Sequence, residues 1–115
     1  MKVRFWVVCG KGPSLRDLLN DRLGRDRRRL EDRAKYPVRL KRERKVDRRH
    51  GWSWVQSRNR ARGVVRYRWN SQLKILECWA VTRAGNRPSQ LIGEFVETLL
   101  DAKPGRIKSI HIEVG

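Results

Sequence analysis

The residues best suited to chemistry lie in one run, Arg25 to Arg62: RDRRRLEDRAKYPVRLKRERKVDRRHGWSWVQSRNRAR. Arginine dominates it, and a guanidinium pairs bidentately with phosphate and stacks on flat rings in ways an ammonium does not. Arg27, Arg28, Arg29, Arg42, Arg44, Arg48 and Arg49 are the candidate phosphate contacts, with Arg58 and Arg60 following near the end of the run. Trp52 and Trp54 flank a single serine there. Indoles in a basic setting stack on unpaired bases, and arginines neutralise phosphates and release counter-ions. The plainer alternative is that both indoles fold back onto the domain as hydrophobic cover, since large aromatics are usually well buried.

The charge balance points the same way. The 115-residue chain has 29 Lys plus Arg against 12 Asp plus Glu, a formal net charge of +17. The excess is concentrated in the first half of the chain rather than spread evenly. A solvated face normally mixes signs to near balance, whereas a one-signed surplus is the electrostatic footprint of a nucleic-acid binder. The expected partner is therefore RNA or DNA, without a distinction between the two. Anionic membrane is a weaker rival, because the run lacks the apolar face that an interfacial helix needs.

Other chemistries find little support. Cys9 and Cys78 are the only cysteines, and no CxxC or Cys–His cluster is present, so no metal site or cofactor is expected. The plain reading is two reduced thiols in a cytoplasmic protein without a signal peptide. No apolar run approaches the roughly 18–20 residues that span a bilayer. His50 and His111 are the only histidines. A small metal-independent ribonuclease of the bacterial toxin type remains an alternative, with Tyr67, Arg66, Arg68 and His111 as its set. A structural component of a nucleoprotein assembly is another.

Two further places suit anions. Arg66 and Arg68 alternate along a strand whose face opposite the helices is expected to be open, although the aromatic signature of RNA-recognition-type sheets is missing. Gly10-Lys11-Gly12-Pro13-Ser14 lies between a strand and a helix N-terminus, where backbone amides can hold a phosphate. It does not have Walker A spacing, and a structural turn is the simpler reading.

The elements that must position these residues follow from periodicity. Lys2 to Cys9 reads as a strand with Val3, Phe5, Val7 and Cys9 on one face and Trp6 and Val8 on the other, suggesting cover on both sides. Ser14 caps a helix with Leu15, Leu18, Leu19 and Leu23 as its stripe. That helix can continue as a basic rod as far as Pro37. Val38 and Leu40 alternate too briefly to define a strand. Lys41 to His50 has one apolar residue and is expected to be disordered or to order on a partner. Trp52 to Val55 reads as a short strand of uncertain role. Val64 to Trp69 and Leu73 to Thr82 form a hairpin turning at Asn70-Ser71. Leu91, Ile92, Phe95, Val96, Leu99 and Leu100 mark an amphipathic helix, with Glu94, Glu97 and Asp101 toward solvent. Ile107 to Val114 is the last strand.

The order is β-α-(insert)-β-β-α-β, the split βαβ pattern of ferredoxin-like folds: a four-stranded antiparallel α+β sheet with two helices on one face. The chain is expected to be one domain, 1–115, with residues 25–62 as a basic, partly flexible insert. It is expected to bind nucleic acid without catalysing a reaction.

Overall fold

The computed structural model describes residues 1–27, 34–59, 61–83 and 87–113. Its elements are β1 (Lys2–Cys9), α1 (Leu15–Asp26), β2 (Val38–Lys41), α2 (Lys45–Arg49), β3 (Ser53–Ser57), β4 (Val64–Asn70), β5 (Ile75–Val81), α3 (Pro88–Ala102) and β6 (Ile107–Ile112), with a 3-10 turn at Pro104–Arg106 before the last strand. This is a small α+β domain. Its six strands form one sheet in the order β2-β3-β4-β5-β1-β6, and every neighbouring pair is antiparallel.

The strands number six where four were expected, because two come from the stretch read as an insert. Val38 and Val55 explain the difference. Both are fully buried, and β2 and β3 pair so that Leu40 lies opposite Val55. Two or three inward side chains suffice for a strand when its outward face is charged. Tyr36, just before β2, is buried as well. Among the described residues, Lys41 to His50 contains α2, a five-residue helix with no buried residue. The proposed basic rod beyond α1 falls on residues 28–33, outside the described residues.

The core lies on one face of the sheet, under α1 and α3. Cross-strand register aligns Phe5, Cys78 and Tyr67, and all three are fully buried. Phe95 of α3 closes over them, its ring centroid 5.9 Å from that of Phe5 and 5.3 Å from that of Tyr67. Leu15, Leu19 and Leu23 of α1 complete the layer, each buried leucine contributing about 2 kcal/mol. Ser14 Oγ accepts from the Asp17 amide at 3.2 Å, as the capping pattern implied. The Tyr67 hydroxyl donates to Asn20 Oδ1, and Asn20 Nδ2 donates to Ser53 Oγ at 2.9 Å, so this internal polar group is satisfied.

Two expectations for α3 are corrected. Leu100 is exposed, whereas Glu94 is buried. Glu94 accepts from Ser57 Oγ at 2.7 and 3.0 Å and from Asn59 Nδ2 at 2.6 Å, and these bonds replace water around its carboxylate. The β4–β5 connection is also longer than expected. Asn70 pairs with Ile75, and Asn70 Oδ1 accepts from the Gln72 and Leu73 amides. Lys74 closes this turn with φ 56°.

Candidate nucleic-acid interface

The sheet face opposite α1 and α3 carries the outward-alternating side chains, and its register sorts them into rows. One row runs Lys41, Trp54, Arg66, Trp79, Arg4 across β2, β3, β4, β5 and β1. Cations and indoles therefore alternate over five strands. A second row runs Arg68, Glu77, Trp6, His111. A third runs Arg39, Gln56, Val64, Val81, Lys2. Among the described residues no helix covers this face on the β1 side, so the expectation that β1 is covered on both faces is corrected. Trp6 is only half-buried there.

Cation–π contacts knit the rows together. The Lys41 ammonium stands 5.9 Å from the Trp54 ring centroid. Arg66 and Arg68 both lie over Trp52, at 4.8 and 4.5 Å. Arg4 stands 5.8 Å from both Trp6 and Trp79. His111 lies parallel to Trp6, with centroids 5.8 Å apart and planes inclined by 12°. Arg68 Nε donates to Glu77 Oε2 at 2.5 Å, which neutralises the carboxylate in that row.

Asp47 of α2 reaches down onto this face. Its Oδ2 accepts from Trp54 Nε1 at 2.9 Å and its Oδ1 from Arg66 Nη2 at 2.9 Å. Beyond α2, toward the edge where β4 begins and β5 ends, a cleft of about 550 Å³ opens. Arg39, Lys41, Arg44, Arg62 and Arg83 line it, and no carboxylate does so among the described residues. Arg39 also has a local partner: in the amide orientation that satisfies both groups, Gln56 accepts from its Nη2 at 2.8 Å and its Nε at 2.7 Å. The buried Thr82 Oγ1, of a residue in the same lining, has no hydrogen-bond partner among the described residues.

The arginines singled out from the sequence do not converge on one site. Arg44, Arg66 and Arg68 belong to the open face, as do Trp52 and Trp54. Arg27, Arg42 and Arg48 line a separate hollow with Asn20 and Glu43, and Arg48 Nε donates to Glu43 Oε1 at 2.8 Å. Arg49 is exposed on α2. Arg28, Arg29 and Arg60 lie outside the described residues. Arg58 serves the fold: its side chain is 10% exposed and its Nη2 stands 3.7 Å from the buried Asp26 carboxylate. That carboxylate also accepts from the Lys35 and Tyr36 amides at 2.7 and 3.1 Å.

The Gly10–Ser14 loop is filled by Arg106, whose Nη2 donates to the Pro13 carbonyl at 2.8 Å. A turn braced by a guanidinium is what the loop provides. The ribonuclease set is not brought together either. Tyr67 is fully buried on the helix side, and burial pushes its phenol above the ordinary value of 10.0. Burial likewise raises the thiols of Cys9, against the lowering effect of Arg106, and of Cys78. Both thiols are free. Among the described residues no three His, Cys, Asp or Glu side chains cluster as metal ligands, and no helix is long and apolar enough to cross a membrane.

Sequence reasoning missed Arg39, Lys41, Arg62 and Arg83 in the cleft, and Arg4, Trp6 and Trp79 on the sheet. A signal existed for some of them. Val64 pairs with Val81, so any hairpin in that register brings Arg62 and Arg83 together at its open end. Comparison of the chain with protein-family models, with curated proteins and with solved structures returns no match.

Proposed function

We propose that this protein binds nucleic acid, RNA or DNA, through its backbone phosphates and catalyses no reaction on it. One observation carries the reading: five cations line a cleft that has no carboxylate among the described residues, beside a sheet face rich in tryptophan. Cations gathered along one lining favour a polyanion, and phosphate neutralisation releases condensed counter-ions. A ferredoxin-like reading of the domain is supported by the inner strand order β4-β5-β1-β6 with α1 and α3 on one face, the order that a split βαβ unit would have. On this reading the β2–β3 hairpin enlarges that unit at the β4 edge. The two free thiols support a reducing, cytoplasmic setting.

The test is a binding titration at several salt concentrations with the Arg62→Glu/Arg83→Glu double variant alongside. Affinity is expected to fall linearly in log–log form with salt. The variant should bind at least about tenfold more weakly with a slope smaller by about two, one per lost phosphate contact. Absence of binding to any nucleic acid at low salt overturns the proposal.

A further inference from the structure

We infer that the nucleic acid bound is single-stranded, and that its bases stack on Trp79 and Trp6 rather than on the two tryptophans of the basic stretch. The inference rests on the phosphate-binding reading above and specifies the ligand for the same face.

Geometry disfavours the duplex first. Six strands spaced about 4.8 Å apart make a face roughly 24 Å wide. The major groove is about 12 Å wide and admits a helix or a two-stranded ribbon, not a broad sheet. Among the described residues the one helix on this side, α2, has five residues and a length of only about 7.5 Å. A duplex can touch this surface with its phosphates alone, leaving the indoles unused. A single strand has free base faces and can lie flat along the rows.

The four tryptophans of this side are not equivalent. Trp52 already carries two guanidinium groups on its ring, at 4.8 and 4.5 Å. Trp54 is tied at its Nε1 to Asp47 and lies beside α2. Both are engaged by their own chain. Trp79 and Trp6 share a single arginine, Arg4, which stands farther off at 5.8 Å from each. Arg4 is exposed, so it can swing from the rings to a phosphate as a base arrives. His111, parallel to Trp6, extends the aromatic surface toward β6. Glu77, beside Trp6 in its row, is neutralised by Arg68. Trp79 is also flanked by Arg66 and Arg4 in its own row. A strand anchored by phosphates in the cleft therefore meets an aromatic floor a few strands away.

The experiment compares a short oligouridylate, an oligothymidylate and a duplex of equal length at one ionic strength, with tryptophan emission as a second readout. Single strands are expected to bind at least about tenfold tighter than the duplex. Trp79→Ala and Trp6→Ala should each cost about tenfold for single strands and leave the duplex unchanged, while Trp79→Phe and Trp6→Phe retain most of the affinity. Where an alanine variant does not fold, emission decides. Quenching by single strands should persist in a Trp52→Phe/Trp54→Phe variant and vanish in a Trp6→Phe/Trp79→Phe variant. Equal single-strand and duplex affinity, or the reverse pattern of quenching, overturns this inference. If Arg62→Glu/Arg83→Glu still weakens binding in that case, the phosphate reading survives alone. No binding by any ligand at low salt removes both.

Discussion

The Asp47 carboxylate accepts from Trp54 Nε1 and from Arg66 Nη2, each at 2.9 Å, and so fastens α2 to the sheet. No residue of that helix is buried, so hydrophobic contact does little to hold it. Asp47→Ala should therefore free the segment and lower global stability by about 2 kcal/mol, the usual scale for bonds to a charged group. Amide exchange over 45–49 should quicken, and the urea midpoint should fall. Removing this anion should also tighten nucleic-acid binding severalfold, measured in the same titration. Unchanged exchange would show that the helix is held by something else.

Asp26 closes the other end of the basic stretch. It ties the Lys35 and Tyr36 amides and faces Arg58. Asp26→Ala removes the acceptor of two amides and a carboxylate beside a nearly buried guanidinium, so a loss of about 3 kcal/mol is expected in chemical denaturation. Arg58→Ala should be costly too. Its effect on nucleic-acid affinity at a temperature where the variant remains folded should be small, because the side chain is turned inward.

Stability should erode in alkali. Cys78 and Tyr67 are fully buried, and burial raises both above their ordinary values of 9.0 and 10.0. A raised acid keeps its proton longer when folded. The contribution is therefore intact below the unfolded pKa and is lost as pH rises past it. Denaturation free energy should be flat across neutral pH and begin to fall above about pH 9, by up to about 1.4 kcal/mol per pH unit for each group. Because burial raises the Cys9 thiol as well, Cys9→Ala/Cys78→Ala together should move the onset toward pH 10. An unchanged onset would remove the thiols as its cause.

Gly63 sits at the mouth of the cleft with φ +133°. A Cβ there would overlap the Val81 carbonyl oxygen and come within 3.0 Å of Thr82 Cγ2. Gly63→Ala should cost about 2–3 kcal/mol through strain and forced separation of β4 from β5, visible as a lower melting temperature. The opposite change is available at Lys74, a non-glycine residue at φ 56°. Lys74→Gly should be neutral or stabilising by up to about 1 kcal/mol.

The strands and helices with a long apolar stripe were legible in the sequence. Phe5 and Val7 in β1, Leu15, Leu19 and Leu23 in α1, and Leu91, Phe95 and Leu99 in α3 are all buried as their spacing predicts. β2 and β3 were hidden because Val38, Leu40 and Val55 are few, and because Ser53 and Ser57 occupy inward positions that apolar residues usually take. Glu94 looked solvated because its partners, Ser57 at the end of β3 and Asn59 just after it, are distant in sequence. The interface was the least legible part. Alternation identifies the two faces of a strand, but only pairing across five strands brings Lys41, Trp54, Arg66, Trp79 and Arg4 into line.

That line also bears on how the chain tolerates a net charge of +17. An indole separates each cation from the next, so like charges in the row sit two strands, or about 10 Å, apart. This is close to the screening distance in about 0.1 M salt. Within this row Trp54 and Trp79 act as spacers that limit repulsion, while the same spacing keeps a strongly positive field over the sheet. Dilution of the buffer should therefore strengthen attraction of anions to this face well before it loosens the strands beneath.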